Sequence, residues 1–204
     1  MENIAYRSHP QTIILKEILN DKEIGKIKRI ESNFGFKTRI KPESRLFKKE
    51  FGGGAILDLG CYPISFFYLF IDSENKIKID QTKVDYCNTN VDVDAEINIT
   101  IDDKIQTIGK VSLQKNLPNI CKIYCEKGII TITSPWLQNK SSYIEIETKS
   151  RYFKKFIKNN FDSYTNQINV ISNAFMGKKI NNNYLVDIEE SRRIFKILDL
   201  WKRK

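Results

Sequence analysis

The sequence predicts an α+β fold: a predominantly antiparallel, open-faced sheet with helices on one face. Three observations lead there. Between residues 76 and 148, strand-like segments follow one another across short turn signals such as Asp102-Asp103-Lys104 and Lys127-Gly128, which implies antiparallel pairing. One side of these segments is aliphatic and the other carries Thr, Tyr, Lys and Glu, the pattern of a sheet covered on one face only. Helical stretches flank the region, over 9–20 and 51–70 before it and over 152–176 and 187–204 after it.

In chain order, Ile4–Arg7 reads as a very short strand, useful only if it joins a sheet. Ser8 is then placed to cap a helix, with Gln11 at capping-box spacing and Pro10 in the first turn, where it is tolerated. Ile14, Leu15, Ile18 and Leu19 form its apolar stripe, and Asp21–Gly25 ends it. Residues 26–36 read as a strand with Ile30, Phe34 and Phe36 on one face and Arg29, Glu31 and Asn33 on the other. Lys37–Glu50 is a charged loop carrying Lys37, Arg39, Lys41, Arg45, Lys48 and Lys49. Those cations either meet an anionic substrate or cofactor phosphate, or are simply solvated.

The chain is organised around residues 51–70, where three glycines lead into a nearly continuous apolar run. Its two polar exceptions, Asp58 and Tyr62, are four apart, so a helix puts both on one face. They are either satisfied core polar groups or groups facing a partner or cavity, because burying them unpaired is costly. Pro63 predicts a kink, since it removes a donor and crowds the carbonyl of Leu59.

Strands then follow at 76–88, 95–101, 105–114, 120–126, 129–133 and 143–148, the last of the series. Ile97, Ile99 and Ile101 point inward. Tyr152–Met176 reads as a helix interrupted near Asn159-Asn160, with Gly177 as its stop and a loop at Asn181–Asn183. Asp187 caps the final helix, whose stripe is Ile194, Ile197, Leu198 and Trp201. Acidic residues at its start and Lys202-Arg203-Lys204 at its end suit the helix dipole.

The net charge of +9 and pI near 9.3 invite a nucleic-acid reading. The lysines are spread along the chain with acidic residues between them, and no Arg-rich or aromatic-basic cluster occurs. Nucleic acid is therefore set aside as a partner. No secretory signal or membrane-spanning run appears, which points to the cytoplasm and to free thiols at Cys61, Cys87, Cys121 and Cys125. With His9 the only histidine and no Cys-x-x-Cys pair, no metal site is expected.

The stretch Gly52-Gly53-Gly54-Ala55-x-Leu57-Asp58-x-Gly60-Cys61-Tyr62-Pro63 resembles the signature of the glucose–fructose oxidoreductase, inositol dehydrogenase and MocA (Gfo/Idh/MocA) family. Ala5-Tyr6-Arg7-Ser8-His9-Pro10-Gln11 and Ile24-Gly25-Lys26-Ile27 resemble that family's preceding segment. The resemblance implies a nicotinamide-dependent dehydrogenase of a sugar-like or polyol substrate, using NAD or NADP. It makes Tyr62 the proton donor or acceptor, Asp58 a polar orienter, and Tyr6 and Arg7 substrate-binding residues. It also implies homo-oligomerisation through the outer sheet face, where Tyr124, Thr131 and Tyr143 lie.

A free phenol titrates near pH 10, and the family lowers this with the lysine of a Glu-Lys-Pro motif that this sequence lacks. Also missing is Gly-x-Gly-x-x-Gly after a strand, so no cofactor-binding residue is assigned. Residues 1–25 therefore read as the remnant of a truncated Rossmann domain, and 26–204 as a substrate-binding and oligomerisation domain. On this reading the chain is inactive alone and a separate nucleotide-binding chain is a candidate partner. The alternative is a non-catalytic dimerisation or partner-binding module.

Overall fold

A computed structural model describes residues 2–20, 23–71, 74–138, 141–180 and 185–203. A 3-10 turn at Ala5–Ser8 precedes α1 (Pro10–Asn20) and β1 (Ile27–Gly35). Two more 3-10 turns, Arg45–Phe47 and Lys49–Phe51, lead to α2 (Ala55–Asp58) and α3 (Cys61–Phe67). Then come β2 (Ile77–Tyr86), β3 (Asp92–Ile101), β4 (Ile105–Ser112), β5 (Ile120–Cys125), β6 (Gly128–Thr133), β7 (Ser141–Thr148) and β8 (Tyr152–Lys158). Helices α4 (Ser163–Phe175) and α5 (Ile188–Arg203) complete the order. The chain divides into two units, Met1–Lys28 with Ile120–Ser191 and Arg29–Asn119 with Arg192–Lys204.

In the first unit, β5, β6, β7 and β8 pair antiparallel in sequence order. Cross-strand neighbours Cys121, Ile132 and Ile144, and Ile123, Ile130 and Ile146, fall on one buried face. Helix α1 lies against β7. Its Gln11 amide donates to the carbonyls of Thr133 and Tyr143, both at 3.1 Å, and so satisfies backbone acceptors on two strands.

Two expectations are corrected in this unit. Residues 4–7 form no strand but enter a 3-10 turn. Tyr6 is drawn inward, its ring edge-on to Trp136 at 5.3 Å, while the Thr12 hydroxyl donates to its carbonyl at 2.7 Å. At the start of α1 the His9 ring also serves as acceptor, its Nδ1 taking the Gln11 N–H at 3.1 Å. Residues 152–158 are strand β8 rather than helix. Phe153, Phe156 and Ile157 have helical spacing, but only Ile157 is buried. The edge of β7 offers more: Lys154 pairs with Glu145 at 2.7 Å, and Tyr143 meets Phe156 at 5.9 Å between ring centroids. The helix begins only after Asp162, whose side chain caps it through the Thr165 N–H at 2.8 Å. The expected loop at Asn181–Asn183 lies outside the described residues.

In the second unit the strand order is β2-β3-β4-β1, antiparallel except for the parallel pair β4 and β1. Ile97, Ile99, Ile101 and Val111 are buried on the face that receives α2 and α3. Ile194, Ile197, Leu198 and Trp201 of α5 are buried as well, and the Trp201 indole donates to the Glu96 carbonyl at 3.1 Å. The cap of α5 belongs to the first unit, where the Asp187 side chain accepts the Glu190 N–H at 2.8 Å. The opposite face of β3 and β4, with Glu96, Asn98, Gln106 and Lys110, is half-buried or exposed. Among the described residues, no single helix is long and apolar enough to cross a membrane.

Candidate active site

The site is assembled within the second unit from the segment 45–67. The predicted charged loop tightens at its end into the two 3-10 turns, anchored by buried Phe47. Gly54 then adopts φ +120° and ψ 154°, a conformation essentially reserved for glycine. A side chain there would meet a second obstacle. A Cβ would stand 2.3 Å from Oδ1 of Asp92. Asp92 is fully buried, and its Oδ2 accepts the Ile56 N–H at 2.7 Å, fixing the start of α2. Burial raises the Asp92 pKa, opposed by the bond from Ile56 and by the Lys202 ammonium, 3.9 Å from Oδ1.

Helix α2 stops after one turn, and the helical path bends by 48° before α3. The break falls at Leu59-Gly60, one turn ahead of Pro63. Pro63 has no N–H to give the Leu59 carbonyl, which instead accepts from Tyr62 at 3.1 Å. Gly60 is confined there, because a Cβ would lie 2.4 Å from the Ile56 carbonyl and 3.0 Å from the Trp201 ring.

Across the break, Leu57, Asp58, Cys61 and Tyr62 are half-buried, while Ala55, Ile56, Leu59, Gly60, Pro63 and Ile64 are buried. Asp58 and Tyr62 are thus both partly accessible. The Asp58 carboxylate accepts from Arg45 Nη2 at 2.6 Å, so one cation of the preceding loop is engaged internally. The Tyr62 ring stands edge-on to Phe34 at 5.0 Å, with an interplanar angle of 81°. A half-exposed phenol can exchange a proton with a bound oxygen, and a carboxylate held by guanidinium can orient a hydroxyl.

Tyr6 and Arg7 lie in the first unit. Tyr6 has no exposed surface, and the Arg7 guanidinium is paired with Glu190 at 2.9 Å with side-chain exposures of 3% and 14%. Nearby, Lys16 has a lowered pKa, from burial first and then the Arg7 charge, partly offset by Glu190. A cleft of about 820 Å³ in the same unit is lined by Ile18, Ile24, Ile146, Arg151 and Phe153 among others, and by neither Tyr6 nor Arg7.

Sequence reasoning missed Asp92. The available signal was the run of three glycines, whose last member implies a close approach by something distant. Among the described residues, no cluster of three or more His, Cys, Asp or Glu side chains could hold a metal ion. Cys121 is buried and its thiol pKa pushed well up; Cys125 is pushed up to about 11 by burial and by Glu126.

A nicotinamide dinucleotide does not fit the glycine turn at 52–54. Such turns hold pyrophosphate on free N–H groups at a helix start. Here the Ile56 N–H is already taken by the Asp92 carboxylate, whose charge would also repel phosphate.

Residues 13–131, more than half of the chain, match the family model for the GFO/IDH/MocA C-terminal domain. Trans-1,2-dihydrobenzene-1,2-diol dehydrogenase of Xenopus tropicalis is 32% identical over 134 residues, 66% of this chain and 40% of that protein. D-xylose 1-dehydrogenase (NADP(+)) 2 of Haloferax volcanii is 28% identical over 90 residues, 44% of this chain and 27% of that protein. A crystal structure of a 3-ketoreductase from Actinomadura kijaniata with TDP-benzene and NADP superposes with a TM-score of 0.79. That likeness is at 19% identity, covering 98% of this chain and 59% of the ketoreductase, and it bears on the fold. The chain therefore spans well under two thirds of the relatives it matches. The bent α2–α3 segment with Asp58 and Tyr62 falls inside the matched region, and the chain belongs to the GFO/IDH/MocA family of oxidoreductases.

Proposed function

We propose that these residues form the substrate side of an NAD- or NADP-dependent dehydrogenase acting on a sugar-like or polyol substrate. The observation that carries the reading is that a partly accessible phenol and an oriented carboxylate stand on the largely buried α2–α3 segment. Tyr62 gives or takes the proton at the reacting oxygen, and Asp58 orients a neighbouring hydroxyl. Arg45 holds Asp58 for that role. Tyr6 and Arg7 contribute by shaping the first unit, since neither presents free surface to a substrate.

The nicotinamide cofactor belongs to a nucleotide-binding portion outside the 204 residues, in the same polypeptide or in a separate chain. Residues 1–25 are the end of that portion and 26–204 the substrate-binding and oligomerisation part. The outer sheet face with Tyr124 and Tyr143 is the surface for homo-oligomers, and the protein works in the cytoplasm. A non-catalytic dimerisation or partner-binding module is the second reading, favoured by the occupied glycine turn and the missing Glu-Lys-Pro.

Two measurements test the proposal. Titrated alone with NADPH and NADH, the 204 residues should give no saturable change in nicotinamide fluorescence. Supplied with a nucleotide-binding portion, they should turn over diols or aldoses, and Tyr62→Phe should lower kcat by about 10²–10⁴-fold with KM little changed. Turnover unaffected by Tyr62→Phe would remove the phenol from the chemistry.

A further inference from the structure

Strand β8 leaves part of the covered sheet face of the first unit open. Cross-strand pairing sets Phe153 opposite Ile146 and Lys155 opposite Ile144. Both β8 side chains therefore share the face on which those isoleucines are buried. Helix α1 lies against β7, but on β8 only Ile157 is buried, while Phe153 is 37% exposed and Lys155 is exposed too. Beside α1 this leaves the cleft of about 820 Å³, within the range of about 300–1,000 Å³ that small-molecule sites occupy. Ile18, Ile24, Ile146 and Phe153 give it an apolar wall. None of its lining residues belongs to α2 or α3.

The charges around that wall are unequal. Lys127, Lys149, Arg151 and Lys155 line the cleft against two carboxylates, Glu23 and Glu126. Both carboxylates are already engaged. Glu126 pairs with Lys28 at 2.9 Å and accepts the Lys26 N–H at 3.1 Å. Glu23 pairs with Arg151, whose guanidinium also stands 5.1 Å from the centroid of the Phe153 ring. Among the described residues, Lys127, Lys149 and Lys155 have no carboxylate at ion-pair distance. An inward lysine also helps an edge strand such as β8 resist further pairing. That role does not call for Lys127 and Lys149, which come from the β5–β6 and β7–β8 turns. We infer that the cleft is a binding site for a small organic anion, a carboxylate or phosphate ester joined to an apolar body. The body lies against Ile18, Ile146 and Phe153, and the head meets lysines from three separate segments. Ammonium groups act on such a head as point charges and so accept either chemistry.

The test uses the 204-residue chain at low salt and follows binding by calorimetry. The probes are naphthyl phosphate and naphthoate, with neutral naphthylmethanol and inorganic phosphate representing the body and the head alone. At least one naphthyl anion should bind with a Kd of about 1 mM or below, and each half at least about 10-fold more weakly. The tighter of the two anions identifies the head. Lys155→Glu should weaken its binding about 5-fold or more, and so should Lys127→Gln combined with Lys149→Gln. All three positions are exposed, so circular dichroism and Tm should stay as in the wild type. Lys122→Glu makes the same charge change on the opposite sheet face, since its neighbours Cys121 and Ile123 are the buried ones. It should leave the affinity within about 2-fold. No binding of either anion up to about 5 mM, or equal affinity for naphthylmethanol, would overturn the inference. Equal losses in Lys155→Glu and Lys122→Glu would also overturn it, by reducing the effect to the chain's net charge of +9.

Discussion

Gly54→Ala should destabilise the second unit by about 2.5–6 kcal/mol, with two separable contributions. Holding alanine at φ +120° and ψ 154° costs about 1–3 kcal/mol in backbone strain. The new Cβ would also lie 2.3–2.8 Å from all three carboxyl atoms of Asp92. The carboxylate must then move off the Ile56 N–H, losing a charge-assisted bond of 2.7 Å worth about 1.5–3 kcal/mol. Urea unfolding read by Trp201 fluorescence in a Trp136→Phe background reports on this unit, because Trp201 is buried within it. Asp92→Ala removes both the obstacle and the bond. In that background Gly54→Ala should cost only the backbone share, a coupling of about 1.5–3 kcal/mol between the sites. Equal costs in the two backgrounds would refute the claim that Gly54 is glycine because of Asp92. So would a single mutant within about 0.5 kcal/mol of the wild type.

The raised pKa of Asp92 means that the folded state binds its proton more tightly than the unfolded state. The stability of the wild type relative to Asp92→Asn should therefore fall as pH rises from the usual carboxylate value through the raised one, then level off; the opposite slope in paired urea titrations would show an anion stabilised by folding. Burial pushes the half-exposed Cys87 thiol up, but bonds from Thr89 and the neighbouring backbone outweigh it and leave the pKa lowered. Iodoacetamide near neutral pH should thus label Cys87 before Cys125, and Cys121 only on unfolding; equal labelling rates by peptide mass mapping would contradict this.

The sequence was most legible where the deciding interactions are local. The alternation of Ile97, Ile99 and Ile101 and the stripe from Ile194 to Trp201 both coincide with buried faces. Asp58 and Tyr62 are both half-buried, but the helix from whose four-residue spacing a shared face was expected breaks between them. Legibility failed where a partner distant in sequence decides. Phe153, Phe156 and Ile157 fit a helix as well as a strand until β7 supplies Glu145 and Tyr143. The Tyr6 turn depends on Trp136, and the glycine turn on a carboxylate 38 positions after Gly54. No window along the chain contains those pairs. The burial of Ser163 at the start of α4 was hidden for the same reason, since its partner Gln138 lies 25 positions earlier and is itself bonded to Gln11.

The parallel pairing of β1 with β4 imposes an order of events on the second unit. Arg29 is matched with Gln106, 77 positions later, whereas β3 and β4 close across Ile101 and Ile105, four positions apart. Chain-closure entropy makes the parallel contact about 3 kcal/mol harder to initiate than the hairpin. The loop that must close contains the whole apolar run from Ala55 to Ile71. During synthesis that run leaves the ribosome before the isoleucines of β3 that will cover it, and β1 waits longer still for its neighbour. The nascent chain therefore passes through a stage in which the segment bearing Asp58 and Tyr62 is its stickiest surface, and slower emergence of residues 92–112 would prolong it.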